Sequence, residues 1–264
     1  ILEVNAPLVE EQRKYRTLIY ADKAQELTNK AFVHADTIIA VSKEVGDYVS
    51  NTLKNSSSTR SLFSVEKIHI VPNGVNVQRF QGIYPKPRDT DMNPFVIGFV
   101  GTLKPWHGLP ILISAFKQLQ QACKNCRLLI VGDGPERDAL VKQLEEMELK
   151  DDVELTGQVA PFEIPKWLSL MDVAVAPYPN LENFYFSPLK VYEYMAAGLP
   201  LVASRTGQLG TLIEDGVNGI LVQPNDTHDL FQGLDRIRRN PEWGIRLGQA
   251  ARKTVSMKHT WEAA

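Results

Sequence analysis

From residue 95 onward the chain repeats one pattern: a short apolar run, then a Gly or Pro, then a stretch of helical spacing. The apolar runs are 96–100 before Gly101, 128–131 before Gly132, 153–156 before Gly157, 173–176 before Pro177, 201–204 before Gly207 and 220–222 before Pro224. Strands that are apolar on both faces must be covered on both faces, and alternation with helices supplies that cover only if the strands run parallel. The pattern therefore predicts an α/β domain built on a doubly wound parallel sheet over 94–264. In such sheets ligands sit outside the carboxyl ends of the strands, where glycine lets a backbone approach closely. The glycine-bearing turns and the segment 187–193 all fall on that edge.

The first part of the chain differs. Residues 8–35 have helical spacing, 37–41 read as a strand, and Ser42 as the cap of a helix reaching about Leu53. A polar stretch, 54–64, reads as a loop, 68–71 as a second strand, and Pro72-Asn73-Gly74 as its terminating turn. Two strands are too few for a parallel sheet of usual size. Residues 1–74 are thus expected to be the carboxyl-terminal part of an incomplete domain, and 75–93, rich in Pro, Gly and charge, a linker. The chain opens on Ile1 and closes on Trp261-Glu-Ala-Ala, so both ends are read as cut from something longer.

Composition narrows the partners. A net charge of −2 with mixed signs offers no basic face for a nucleic acid backbone. No apolar stretch approaches the ~20 residues needed to span a bilayer, and no signal segment opens the sequence, so a soluble, cytoplasmic protein is expected. Cys123 and Cys126 are the only cysteines. A structural zinc would need two further ligands that nothing nearby supplies, so they read as reduced thiols in a helix-to-strand loop.

The densest chemistry lies at 184–204, FYFSPLKVYEYMAAGLPLVAS. Ser187 suits an N-cap, Pro188 the first helical position, and Gly198 with Pro200 the stop. The first N–H groups, at Leu189 and Lys190, have no intrahelical partner and carry the positive end of the helix dipole, so a phosphate is stabilised there. Lys190 adds a full charge. Glu193, three residues on, can accept hydrogen bonds from two vicinal hydroxyls. Phosphate and ribose together mean a nucleotide. The competing reading is an ordinary exposed Lys190–Glu193 helix pair, of small energy.

Other features weigh less. In Gly132-Asp133-Gly134-Pro135 the third glycine of a dinucleotide fingerprint would fall on Arg137, so a tight strand-to-helix turn is the default. His107, beside Trp106, could titrate near neutral pH by a phosphate or stand in a solvated loop. Glu3 and Asn5 could face a cleft, since Pro7 opens the following helix. The acidic residues Asp151, Asp152, Asp172 and Asp215 are not grouped as metal ligands would be.

Seven segments in order, HADTIIAVS (34–42), IVPNGVNVQRF (70–80), GFVGTLKPWHG (98–108), LLIVGDGPERDAL (128–140), ELTGQV (154–159), SPLKVYEYMAAGLPLVAS (187–204) and EDGVNGILV (214–222), cover nearly the whole chain. With them the chain resembles the family 4, or group 1, retaining glycosyltransferases, in an SPLK-x-x-E form. The resemblance implies the GT-B fold, whose donor side is a Rossmann-like carboxyl-terminal domain, here joined to part of the amino-terminal, acceptor-side domain. It implies transfer of a sugar, of hexosyl type, from a nucleoside diphosphate sugar to an acceptor hydroxyl with retention of configuration, without a bound metal or other cofactor.

Residue by residue, Glu193 matches the glutamate that binds the donor ribose. Ser187, Pro188, Leu189 and Lys190 match the loop that holds the diphosphate. Gln158 and Val159 match a loop that contacts the base, and Gly101, Thr102 and His107 lie in the first glycine-rich loop at the donor. Two departures stand out. A second glutamate that many members carry eight residues before the ribose glutamate is Tyr185 here. The usual Arg and Lys of the first loop fall on Thr102 and His107, leaving Lys104, with Lys190 to supply the missing charge. Lys104, Lys190 and the helix N-terminus would then stabilise the departing diphosphate more in the transition state than in the ground state. The implied partners are a nucleotide sugar and a carbohydrate or lipid-linked acceptor, with peripheral association at the inner membrane face through a missing amino-terminal region. A sugar-nucleotide epimerase, a phosphorylase of the same plan and a nucleotide-sugar-binding module without turnover remain alternatives.

Overall fold

The computed structural model describes residues 1–15, 17–55, 65–83, 93–181, 184, 185 and 187–263. The chain forms two compact units, one of 1–73 with Phe184, Tyr185, Ser187 and Pro188, the other of 74–181 and 189–263.

The first unit contains β1 (Leu2–Val4), α1 (Leu8–Tyr15), α2 (Ala21–His34), β2 (Ile38–Ala40), α3 (Lys43–Asn55) and β3 (Ile68–Ile70). The strands pair in parallel in the order β1-β2-β3, with Ile38 opposite both Leu2 and Ile68. Val4, Phe32, Ile38, Ala40, Val41, Val45, Val49 and Leu53 make its core. Ser42 caps α3, its hydroxyl accepting from Val45 N at 3.1 Å. Lys67 donates from Nζ to the carbonyls of Phe32, Val33 and Ala35 at 2.8, 3.0 and 3.2 Å, satisfying the end of α2 with a cation that complements its dipole.

Two expectations change here. A third strand, β1, is present, its signal obscured by its three-residue length and by Glu3 at its centre. The helical stretch 8–35 is two helices, separated at Thr17-Leu18-Ile19-Tyr20, where β-branched and aromatic residues are poor helix formers. From residue 56 to 64 the expected polar loop lies outside the described residues.

The second unit contains β4 (Phe95–Val100), α4 (Leu109–Ala122), β5 (Cys126–Val131), α5 (Arg137–Glu146), β6 (Val153–Leu155), α6 (Ile164–Leu168), β7 (Val173–Ala176), α7 (Leu189–Ala197), β8 (Leu201–Ser204), α8 (Leu209–Leu212), β9 (Ile220–Val222), α9 (Thr227–Arg239) and α10 (Pro241–Lys258). Its sheet is parallel throughout, in the order β6-β5-β4-β7-β8-β9. Each of the six apolar runs is a strand of this sheet. Ile97, Phe99, Leu128, Ile130, Val173 and Val175 join Leu112, Phe116 and Leu119 of α4 and Leu230, Leu234 and Ile237 of α9 in one core. The chain reverses its direction of growth between β4 and β7, and a sheet wound this way opens a crevice outside the carboxyl ends of those two strands.

The described part of 75–93 belongs to this unit. Val75 bridges to Thr260, and a single 3-10 turn, Val77–Phe80, is capped by Asn76 Oδ1, which accepts from Gln78 N at 3.0 Å. Phe80 is fully buried and the turn packs on α7. Residues 84–92 lie outside the described residues.

Candidate functional site

At the carboxyl end of β4 the chain turns at Gly101, with φ +148. Gly101 N donates to Val131 O at 2.9 Å, Leu103 N to Asp133 O at 3.0 Å, and Glu136 N to Leu103 O at 3.1 Å. The loops after β4 and β5 thus lie backbone against backbone. A Cβ on Gly132 would collide with Gly101 O, and one on Gly134 would stand 2.5 Å from Leu103 O. The Gly132-Asp133-Gly134 turn serves this packing between strand and helix.

Helix α7 brings the side chains in. Tyr194, fully buried, accepts from Val100 N at 2.7 Å through its hydroxyl and donates to Val100 O at 3.3 Å, which fixes α7 against the end of β4. One turn earlier, Lys190 passes under the β4 loop. Its Nζ is buried and has no hydrogen-bond partner among the described residues. It stands 4.1 Å from the centroid of the Phe99 ring and 5.4 Å from that of Tyr178, which follows β7. A Cβ on Gly101 would be 2.8 Å from it, so glycine is what leaves the ammonium room. Loss of hydration draws the Lys190 pKa down to about 7.

His107 packs against the same two rings, its ring centroid 5.7 Å from both Phe99 and Tyr178. Its Nδ1–H donates to Thr102 O. Burial first, then the charges of Lys190 and Lys104, press its pKa down to about 3. The half-buried ring is packed among aromatics, where burial disfavours its charged form. Thr102 is exposed, and Lys104 holds its Nζ 5.5 Å from the Trp106 ring centroid.

Ser187 and Pro188 precede α7 and are counted with the first unit. Ser187 Oγ accepts from Asn73 N at 3.2 Å, and Ser187 O from Asn73 Nδ2 at 3.1 Å. The hydroxyl expected to cap α7 is engaged instead with Asn73 N, and the helix begins at Leu189, two residues on. Gly198, φ +71, ends the helix as expected, its N–H donating to Met195 O at 3.0 Å.

Among the described residues Glu193 pairs with Arg79 and not with Lys190. Its carboxylate meets Arg79 of the 3-10 turn, with Nη1 to Oε1 at 3.4 Å. Arg79 Nη2 also donates to Pro161 O at 2.7 Å. Burial raises the pKa of Glu193 while Arg79 opposes the rise. Gln158, exposed, and Val159, half-buried, lie in the turn after β6, where Gly157 bridges to Gly132 and Glu163 Oε2 accepts from Ala160 N at 3.0 Å. Arg79 thereby joins the acidic residue of α7 to the β6–α6 turn. Sequence reading missed Arg79 because its partner lies 114 residues away, and a lone Arg before a buried Phe carries no local signal.

Tyr185 belongs to the first unit, where its hydroxyl donates to Glu11 Oε2 at 2.9 Å and its carbonyl accepts from Ser42 Oγ at 2.9 Å. Burial and Glu11 raise its phenol pKa. Among the described residues no group of three His, Cys, Asp or Glu side chains could hold a metal ion. Cys123 and Cys126 are free thiols, Cys126 buried at the start of β5 and its pKa pushed up to about 12 by that burial and by Cys123. No helix among the described residues is long and apolar enough to cross a membrane.

A buried cation, a helix amino end and glycine-bearing loops lie together at the switch point of a parallel sheet, the place where such sheets take their ligands. The chain belongs to the group 1 glycosyl transferases, whose family model matches residues 94–240. It is 30% identical to the alpha-D-kanosaminyltransferase of Streptomyces kanamyceticus over 174 residues, 66% of this chain and 44% of that protein. It is also 30% identical to an uncharacterized glycosyltransferase of Methanocaldococcus jannaschii over 235 residues, 88% of this chain and 58% of the relative. The chain thus spans about half the length of these curated relatives. Its fold is that of the GT-B glycosyltransferases: HepE from Anabaena, solved in complex with UDP and glucose, superposes with a TM-score of 0.76 at 22% identity, covering 98% of this chain and 67% of that one.

Proposed function

We propose that the protein transfers a sugar, of hexosyl type, from a nucleoside diphosphate sugar to an acceptor hydroxyl with retention of configuration, and that its second unit binds the donor. The observation that carries this reading is Lys190 Nζ, buried beneath Gly101 at the start of α7 without a hydrogen-bond partner among the described residues. An ammonium stripped of water is unfavourable unless an anion completes it. The diphosphate is that anion. Gly101, Thr102, Lys104 and His107 line the same side; Ser187, Pro188 and Leu189 lead into the helix; Glu193 takes the ribose hydroxyls; and Gln158 and Val159 border the base.

As the glycosidic bond breaks, charge grows on the departing diphosphate. Lys190 meets that charge from a buried aromatic setting, where electrostatic stabilisation is strongest, and half-buried Lys104 adds to it from the loop. His107, held neutral with Nδ1–H on Thr102 O, keeps its other nitrogen as an acceptor and brings no competing charge. The acceptor, a carbohydrate or lipid-linked hydroxyl, and a membrane-face location are part of the same reading. The family membership supports the transfer, and the UDP held by HepE makes UDP the first nucleotide to test.

Calorimetry with UDP, ADP and GDP on this chain, followed by Lys190→Ala and Glu193→Ala, tests the site. Unchanged affinity in both variants would refute it. A second reading, nucleotide-sugar binding without turnover, is favoured by Tyr185, whose hydroxyl is committed to Glu11. Binding without release of free nucleoside diphosphate in the presence of acceptors would support that reading.

A further inference from the structure

We propose that Arg79 is a positioning residue for the donor nucleoside: its guanidinium ties the Glu193 carboxylate to the Pro161 carbonyl and so presets the ribose acceptor and the base-side turn as one cradle. The inference rests on the reading of Glu193 as the ribose residue and adds a residue which that reading does not contain.

The geometry is specific. Arg79 sits in a short turn whose two flanks are fixed, by the Asn76 cap on one side and by fully buried Phe80 on the other. Its guanidinium carbon lies 5.4 Å from the centroid of the Phe80 ring. From there one nitrogen reaches Glu193 Oε1 at 3.4 Å and the other reaches Pro161 O at 2.7 Å. A planar fork of donors can satisfy two acceptors on different elements at once, and a lysine ammonium on its flexible stem does not reproduce that geometry. Glu193 Oε2 accepts no hydrogen bond among the described residues, so the pair holds the carboxylate by one oxygen and leaves the other for a hydroxyl.

The charge relation points the same way. Burial favours the protonated form of Glu193, and Arg79 counters it. An ionised carboxylate is acceptor-only and takes both hydroxyls of a vicinal diol as charge-assisted donors, whereas the acid turns one oxygen into a donor and accepts more weakly through the other. The tie to Pro161 O then sets the distance between that carboxylate and the turn bearing Gln158 and Val159. A nucleoside with its ribose diol would read this distance; one lacking the diol would not.

The test compares the tightest binder among ADP, GDP and UDP with its 2′,3′-dideoxy counterpart, on the full chain, by calorimetry. In the wild type the ribonucleotide is expected to bind about tenfold or more tightly than the dideoxy form, the worth of hydrogen bonds to a charged acceptor. Arg79→Met and Arg79→Lys are both expected to lose most of that preference while holding dideoxy affinity within about twofold, the behaviour of positioning. Arg79→Lys keeps the charge and serves as the check should Arg79→Met fold poorly. Equal weakening of both nucleotides, or undiminished preference in the Lys variant, would overturn the proposal. A wild type that binds both forms equally would instead remove Glu193 from the ribose and take the site reading down with it.

Discussion

Lys190 holds its Nζ buried against the rings of Phe99 and Tyr178, a setting that an anion would suit. Its pKa near 7 arises from burial, and a bound diphosphate would restore the charge and raise the pKa again. Below pH 7 the ammonium is already charged. Above it, binding must take up a proton, so affinity for a nucleotide sugar is expected to fall about tenfold per pH unit from about pH 7 upward. The groups around it do not obscure the trend: His107, at about 3, and Tyr178 and Tyr194, with raised phenol pKa values, keep one charge state from pH 6 to 9. Titration calorimetry across that range should show the slope in wild type and none in Lys190→Met; a flat wild-type profile would contradict it. Gly101→Ala attacks the same point from the backbone. Its Cβ would stand 2.8 Å from Nζ at φ +148, so the variant should push Lys190 aside, weaken nucleotide binding about tenfold and destabilise the fold by about 1 kcal/mol or more. Of this residue-scale picture, the sequence singled out the turn 187–190 and Glu193 as candidates. It did not carry the direction of either side chain, because Phe99, Tyr178 and Arg79 come from three other segments.

At the scale of elements, the link between α7 and β4 decides whether the helix can present its first turn at all. Tyr194 supplies that link, its hydroxyl serving Val100 N and Val100 O in a fully buried position. Tyr194→Phe keeps the ring but leaves Val100 N without its acceptor, a loss of about 1–3 kcal/mol. Urea denaturation should register that loss, with nucleotide affinity falling as α7 loosens; unchanged stability would mean that water or a backbone shift replaces the hydroxyl. The six strands of the second unit were readable nearly to the residue, since fully buried parallel strands are unbroken apolar runs bounded by Gly or Pro. Strand β1 was not readable, because Leu2-Glu3-Val4 becomes a strand only through pairing with β2. The break between α1 and α2 was equally hidden, its helical spacing running on either side of residues that end a helix only by weak propensity.

For the whole molecule, the division into two units has a thermodynamic consequence. The Gly101 loop, the Arg79 turn, the β6–α6 turn and the first turn of α7 all belong to the second unit, while the first unit has its own core around Ile38, Val45 and Leu53. A ligand stabilises whichever opening reaction releases it, by about 2.7 kcal/mol at a concentration a hundredfold above Kd. Amides whose exchange requires that opening should slow by about a hundredfold, and amides that open without releasing ligand should not slow. Hydrogen exchange with saturating nucleotide is therefore expected to protect 77–80, 101–107, 131–136, 157–163 and 189–194, leaving α3 and β2 at their free rates. Protection centred on β1 and the segment at Glu3 and Asn5 instead would place the nucleotide in the first unit. That result would separate the fold, which the strand pattern determines, from the site, which depends on where a few polar atoms are left without partners.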